Sequence, residues 1–104
     1  ERAAKLGEKA IKKLKDAQDE IDIIGDVRGL GLMIGVEIVK DKETKIINKE
    51  ARDKIIDLAL KRGLVLLPTG KSVIRVAPPL TIDEDNLDKG LDILIGAIKE
   101  VSTT

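Results

Sequence analysis

The chain contains no Phe, Tyr or Trp, so the side chains that usually contribute most of the buried area in a protein core are missing. Ile, Leu and Val must therefore form any core. Cys and His are also absent, which excludes disulfides, thiol nucleophiles, Cys/His metal sites and imidazole acid–base chemistry. Because a natural domain without all five residue types is unusual, we hypothesise an engineered, aromatic-free sequence with a reduced alphabet. A genomic open reading frame with this sequence would refute that hypothesis.

The length and the charge balance limit the number of domains and the kinds of partner. A chain of 104 residues forms one domain with one core, so we expect a single domain over residues 1–104. Nineteen basic and nineteen acidic residues leave no net charge, and the long-range field that attracts nucleic acid or anionic membranes is missing. No apolar run approaches the length of about 18 residues that a membrane span needs, and no leader resembles a signal peptide. We expect a soluble, unexported protein that binds neither nucleic acid nor membranes.

The spacing of apolar residues predicts three helices. Residues 1–19 carry an apolar residue every three or four positions, which is typical of a helix with one buried stripe. A second helix is expected between Asn48, which is a good N-cap, and Gly63, which tolerates the positive φ of a helix end. Thr81 and Glu84 form a capping-box pattern before a third helix. The buried stripe of this last helix is predicted to contain Leu87, Leu91, Leu94, Ile98 and Val101.

Two further regions have the alternating pattern of strands. Residues 21–39 alternate between apolar and other residues, and we expect Gly25 and Asp26 to break this region into two strands. Residues 64–67 and 73–77 are predicted to form a hairpin around a turn at residues 68–71.

Pro78 and Pro79 should end the second hairpin strand, because proline cannot donate a backbone hydrogen bond. The predicted order of elements is α-β-β-α-β-β-α. The simplest closed arrangement places residues 73–77 between the other two major strands, as a split βαβ core. This order predicts a two-layer α+β domain with a small, mostly antiparallel sheet and helices mainly on one face.

Three stretches of the chain carry a family resemblance. They are residues 25–37 (GDVRGLGLMIGVE), residues 61–67 (KRGLVLL) and residues 73–82 (VIRVAPPLTI). Each resembles a signature of the class III pyridoxal-phosphate-dependent aminotransferases, which include acetylornithine, ornithine and 4-aminobutyrate aminotransferases and some amino-acid racemases. With its connecting pattern, the resemblance covers nearly the whole chain. It implies that the chain corresponds to the C-terminal small domain of such an enzyme.

The resemblance implies a role for Arg75, because the arginine of the third stretch binds the substrate α-carboxylate in that family. A guanidinium group suits this role, since its rigid fork of donors forms two charge-assisted bonds with a carboxylate. Alternation places Arg75 on the sheet face opposite to Ile74 and Val76, away from the helices. An alternative is a purely structural role, in which Arg75 forms a cross-strand ion pair with Glu37 on the same face.

The resemblance also implies that the catalytic machinery lies outside this chain. In the family, the Schiff-base lysine, the carboxylate facing the pyridine nitrogen and the phosphate-binding loop belong to the large domain. We therefore expect pyridoxal phosphate in the intact family but no cofactor bound by this chain, and no catalytic residue in it. The lysines of this chain are predicted to lie on solvated helix faces and in turns.

Other motifs have structural explanations. Gly29, Gly31 and Gly35 lack the strand-to-helix context of a dinucleotide fingerprint, so they indicate close backbone packing. Residues 70–72 (GKS) end like a phosphate-binding loop, but Val65 occupies the position of its first glycine. No nucleotide site is expected.

Clusters of like charge also fit helix surfaces better than sites. A group of acidic residues at the start of the last helix complements the helix dipole, so no metal site is expected. A group of lysines in the first helix is expected to be solvated. The acidic group is Asp83, Glu84, Asp85 and Asp88, and the basic group is Lys12, Lys13 and Lys15.

Three functions are consistent with these features. The first is an isolated, redesigned aminotransferase small domain that acts as a folding or structural module without catalytic activity. The second is the carboxylate-binding part of a transaminase that needs a separate large domain as its partner. The third is a ferredoxin-like module that binds a small molecule through Arg75. In each case an apolar area left open by the missing large domain favours self-association, most simply as a symmetric homodimer.

Overall fold

The computed structural model describes residues 2–78 and 81–103, without the side chains of Ala3 and Leu30. Pro79, which was expected to help end the last strand, lies outside these residues. Within them, three helices and four strands follow one another in the predicted order, which confirms the α+β fold class. They are α1 (Arg2–Glu20), β1 (Ile24–Leu30), β2 (Met33–Ile38), α2 (Lys49–Lys61), β3 (Leu67–Thr69), β4 (Val73–Val76) and α3 (Glu84–Ser102).

The four strands form one sheet in the order β1-β2-β4-β3, and every neighbouring pair is antiparallel. β4 therefore lies between β2 and β3, as the sequence predicted. Since β2 and β3 both run antiparallel to β4, they run parallel to each other with α2 in their connection. This is the split βαβ arrangement.

The turn between β1 and β2 differs from the prediction. The expected break at Gly25 and Asp26 is wrong, because β1 continues through both residues with a register shift that is typical of a β-bulge. The chain instead reverses after Leu30, which pairs with Met33. Gly31 has a φ of 59° and Leu32 does not have a positive φ, as in a hairpin turn with glycine at its first central position.

The second hairpin begins later than predicted. β3 covers Leu67–Thr69 instead of residues 64–67, so Pro68 lies in a strand and not in the turn. An edge strand allows this placement, because a residue on its outer side has no ladder bond to donate. The turn follows at Gly70, which has a φ of 57°.

The core lies between the helices and one face of the sheet. Side chains on this face of β2 and β4 are buried, while those on the opposite face are exposed or half-buried. α3 packs against α1 and α2 and contributes a continuous buried stripe. The largest fully buried apolar side chains of the described residues are all aliphatic: Leu14, Ile24, Ile34, Ile38, Ile55, Ile74, Leu94, Ile98, Val36 and Val39.

The helix boundaries confirm two predicted caps and correct a third. The Asn48 side chain accepts a hydrogen bond of 3.1 Å from the backbone of Ala51, and Gly63 follows α2 with a φ of 94°. Thr81 does not cap α3. Asp83 does so by accepting a bond of 2.7 Å from the backbone of Asn86, because the helix begins at Glu84. None of the described helices has the length and apolar character needed to cross a membrane.

Candidate functional site

Strand alternation places Arg75 on the open face of the sheet, as predicted. Its neighbours Ile74 and Val76 are buried against the helices, whereas Arg75 is exposed. In the ladders, Arg75 lies opposite Gly35 of β2 on one side and opposite Leu67 of β3 on the other. The side chain therefore rises from a central strand of the sheet into solvent.

A row of residues crosses the open face at the level of Arg75. Arg28 of β1 pairs with Gly35, which pairs in turn with Arg75. Because adjacent strands lie about 4.8 Å apart, the backbones of the two arginines are separated by about 10 Å. Gly35 has no side chain to fill this space. The resulting groove has a volume of about 380 Å³, and its other walls include Met33 and Thr69.

The guanidinium of Arg75 has no hydrogen-bond or ion-pair partner among the described residues. The alternative of an ion pair between Arg75 and Glu37 is therefore wrong. Glu37 shares the face but lies opposite Val73, and its carboxylate leans towards Gly25 on the other side of β2. An exposed cation without an intramolecular partner is free to bind an external anion.

Arg28 differs from Arg75 because its charge is already compensated. Its Nη1 atom lies 2.6 Å from Oδ2 of Asp26 within β1. Both side chains of this pair are substantially exposed, so the pair contributes little to stability. Of the two arginines in the row, Arg75 is the one available for a ligand.

A buried arginine that the sequence analysis did not single out supports the strand that carries Arg75. The side chain of Arg52 in α2 is 3% exposed, and its Nη1 atom donates to the backbone oxygens of Thr69 (3.2 Å) and Val73 (2.9 Å). Its Nε atom also donates to Asp53 at 2.8 Å. These bonds fasten the β3–β4 turn to α2. The sequence did contain a signal for the burial of Arg52. It lies three and seven positions before the buried residues Ile55 and Ala59, and therefore on the same face of α2.

One lysine of the predicted basic cluster and two residues of the predicted acidic cluster take part in ion pairs between α1 and α3. Lys13 of α1 contacts Asp88 at 2.8 Å and Asp92 at 2.6 Å, both in α3. Burial opposes the charged form of Lys13, but its bonds to Asp88 and Asp92 outweigh burial and raise its pKa. Lys9 likewise contacts Glu84 at 3.1 Å. No group of acidic residues among the described ones has the geometry of a metal site.

Of the three glycines for which close backbone packing was predicted, the structure confirms it for Gly29 only, since Gly31 has a positive φ in the turn and a Cβ on Gly35 would make only ordinary contacts. Gly29 and Gly31 belong to a hairpin and not to a strand-to-helix turn, and a Cβ at Gly29 would lie 2.5 Å from the oxygen of Met33. Residues 70–72 form the tight turn before β4, and the described residues between this turn and Glu84 contain no helix. Neither the Gly29–Gly31 hairpin nor residues 70–72 lead into the start of a helix, where the backbone N–H groups of a phosphate-binding loop would lie.

Comparison with known proteins places this architecture in one family. The family model for aminotransferase class-III matches residues 1–98. The leucine/methionine racemase of Thermococcus litoralis is 47% identical over 100 residues, which cover 96% of this chain and 23% of that protein. The chain thus spans about a quarter of the length of such relatives.

Solved structures agree with the sequence matches. The adenosylmethionine-8-amino-7-oxononanoate aminotransferase of Methanocaldococcus jannaschii is 41% identical with a TM-score of 0.79, over 93% of this chain and 22% of that one. An amine transaminase from an uncultivated Pseudomonas species, solved in its PLP-bound internal aldimine form, is 30% identical with a TM-score of 0.86. That match covers 95% of this chain and 23% of the other. By sequence and by fold, the chain belongs to the class III aminotransferase family.

Proposed function

We propose that this chain is the substrate-carboxylate-binding part of a class III pyridoxal-phosphate enzyme, and that Arg75 binds the α-carboxylate of an amino acid. The observation that carries this proposal is the position of Arg75, exposed on the open sheet face with no partner among the described residues. A guanidinium in this state presents its fork of donors to a carboxylate from outside the chain. The bonds from Arg52 to Thr69 and Val73 hold the supporting strand in place.

The residues of this chain do not fit pyridoxal phosphate by themselves. A Schiff-base lysine is activated by a desolvated position or by a neighbouring cation. Every lysine here is exposed or half-exposed, and the half-exposed Lys13 is ion-paired with Asp88 and Asp92. We therefore assign the cofactor site to the rest of such an enzyme, with this chain as its C-terminal small domain. In this proposal the 104-residue chain folds as a single domain and has no transaminase activity alone.

Titration with a small amino acid tests the proposed role of Arg75. Alanine is added to the chain while the amide and guanidinium NMR signals are recorded, and the titration is repeated with Arg75→Gln. We expect saturable shifts at Arg75 and Gly35 that are lost in the variant. Saturable shifts that persist in Arg75→Gln, or their absence from both proteins, would contradict the role.

A second measurement tests the proposed lack of catalysis. Pyridoxal phosphate is added to the chain, and the absorbance of an aldimine is followed together with transfer of an amino group from alanine to a keto acid. We expect no amino-group transfer above that of free cofactor. Turnover by this chain alone would contradict the assignment of the cofactor site to the rest of the enzyme.

Two further properties belong to this proposal. We infer self-association as a homodimer, because the open face of the sheet exposes Met33 to solvent. A monomeric mass by light scattering at high concentration would exclude it.

We also retain the hypothesis of an engineered sequence, which rests on the missing aromatic residues and on nothing in the fold.

A further inference from the structure

A second groove begins at Arg75 on the side of the edge strand β3. It has a volume of about 320 Å³, at the lower end of the range of about 300–1,000 Å³ that is typical of small-molecule sites. Arg75 is the one charged residue among the described residues that line it. The others are Leu64, Val65, Leu67, Val76, Ala77, Pro78 and Ile82.

Two of the lining side chains are unusually exposed for their type. Val65 is 72% exposed and Leu67 is 49% exposed, although other aliphatic residues nearby are buried in the core. Leu67 stands directly opposite Arg75 in the β3–β4 ladder, on the same face. An apolar surface therefore adjoins the free guanidinium, and the aliphatic stem of Arg75 extends it.

This combination favours a ligand with one carboxylate and an aliphatic tail. The carboxylate satisfies the guanidinium, and the tail removes the exposed aliphatic side chains from water. We propose that the groove from Arg75 along Val65, Leu67 and Ile82 binds the apolar side chain of a short aliphatic carboxylate or amino acid. This inference rests on the proposed role of Arg75 and adds the substrate class.

The groove on the other side of Arg75 suits such a tail less well. It contains Arg28 with its ion-paired partner Asp26 close by, and its floor is Gly35. A ligand with a second carboxylate would extend towards Arg28, whereas an aliphatic tail would leave that charged surface uncovered. The two grooves therefore predict opposite preferences for monocarboxylates and dicarboxylates.

The test uses the 104-residue chain and a series of acetate, butyrate and hexanoate, followed by methyl NMR signals. We expect affinity to rise about twofold for each added methylene, as for groups partly removed from water, with shifts at Val65, Leu67 and Ile82. Glutarate should bind more weakly than hexanoate. Hexylamine should not bind saturably, because its charge repels Arg75.

A matched pair of variants locates the tail. Leu67→Gln should weaken hexanoate binding about threefold and leave acetate binding unchanged, since about one and a half methylenes of contact are lost. Leu60→Gln is the control, because Leu60 is 57% exposed on α2 and is not part of this groove. It should alter neither affinity. Thermal unfolding of both variants shows whether they remain folded.

The outcomes separate this inference from the role of Arg75. If all carboxylates bind with equal affinity and Arg75→Gln abolishes binding, Arg75 is confirmed and the apolar groove is overturned. If no carboxylate binds at all, both are overturned. Tighter binding of glutarate than of hexanoate would assign the tail to the Arg28 side. A loss of the hexanoate response on dilution would show that a second copy of the chain forms the site, which also contradicts the proposal.

Discussion

Arg75 lies directly opposite Gly35 in the β2–β4 ladder, so the guanidinium rises beside a position that has no side chain. This pairing leaves space next to the cation on the open face of the sheet. A Cβ atom placed on Gly35 would meet Val73 Cγ1 at 3.4 Å, an ordinary contact distance. Gly35 is therefore not required by backbone packing, and its absence of a side chain affects the site more than the fold.

Gly35→Val is expected to separate binding from stability. A β-branched residue in a central strand should raise the free energy of unfolding by up to about 1 kcal/mol. The same side chain should fill the floor beside Arg75 and weaken alanine binding at least about threefold, which corresponds to about 0.65 kcal/mol of binding free energy. Urea denaturation and NMR titration measure the two effects. Unchanged binding together with raised stability would show that the ligand does not approach Arg75 across Gly35.

Arg52→Met is expected to destabilise the fold, because it removes two hydrogen bonds from the backbone oxygens of Thr69 and Val73. Unpaired buried carbonyls cost about 1–3 kcal/mol each, and relaxation or water entry reduces this, so we expect a loss of about 2 kcal/mol in the free energy of unfolding. Hydrogen exchange should increase first in the β3–β4 turn. Arg52→Lys keeps the charge but not the forked geometry, so its free energy of unfolding should lie between those of the parent and Arg52→Met. If Arg52→Met were as stable as the parent, the bonds from Arg52 would not hold the β3–β4 turn in place.

The same substitution at two helical glycines should have opposite effects. A Cβ at Gly7 of α1 would lie 2.0 Å from the backbone oxygen of Gly31, so Gly7→Ala forces α1 away from the β1–β2 turn. We expect a loss of more than about 2 kcal/mol, as for overpacked core positions. At Gly96 of α3 the nearest atom would be Arg62 Nη1 at 3.7 Å. Gly96→Ala should therefore gain about 0.5–1 kcal/mol from helix propensity. Equal effects at both positions would contradict the packing of α1 on this turn.

The loop after β2 should give a small acid-dependent contribution to stability. Asp41 Oδ1 accepts bonds from the backbone and the hydroxyl of Thr44, at 2.8 and 3.0 Å, and these bonds lower the pKa of the Asp41 carboxyl below its ordinary value of 3.8. A lowered pKa in the folded state stabilises the protein above the unfolded pKa, and this stability is lost as the pH falls through the folded value. The stability difference between the parent and Asp41→Asn should therefore be constant above about pH 5 and shrink towards pH 2. A stability difference that stays constant between about pH 5 and pH 2 would contradict a stabilising role of the Asp41 carboxylate.

Hydrophobic periodicity predicted the sheet order and the buried stripes, because alternation and helical spacing depend on burial alone. It did not predict where β1 ends. Gly25 and Asp26 are residue types that favour turns, but a bulge accommodates them in β1. The chain reverses instead at Gly31, which has a positive φ and lies against Gly7 of α1.

The site was predicted only in part for a similar reason. Alternation was sufficient to place Arg75 on the open face. The role of Arg52 depends on two backbone oxygens about twenty residues away, and a charged residue in a helix normally faces solvent. The pair of Arg75 and Glu37 failed because register, which a pattern leaves open, places Val73 and not Arg75 opposite Glu37.

The most direct test of the central claim replaces the matching segment of the Thermococcus litoralis leucine/methionine racemase with this chain, which is 47% identical to it over 100 residues. Racemisation of leucine is then measured with Arg75 and with Arg75→Gln in the hybrid enzyme. We predict an active hybrid whose kcat/KM falls at least about a hundredfold in the variant, as expected when a charge-assisted pair of bonds is removed. Equal kcat/KM for the two hybrids would contradict a carboxylate-binding role for Arg75.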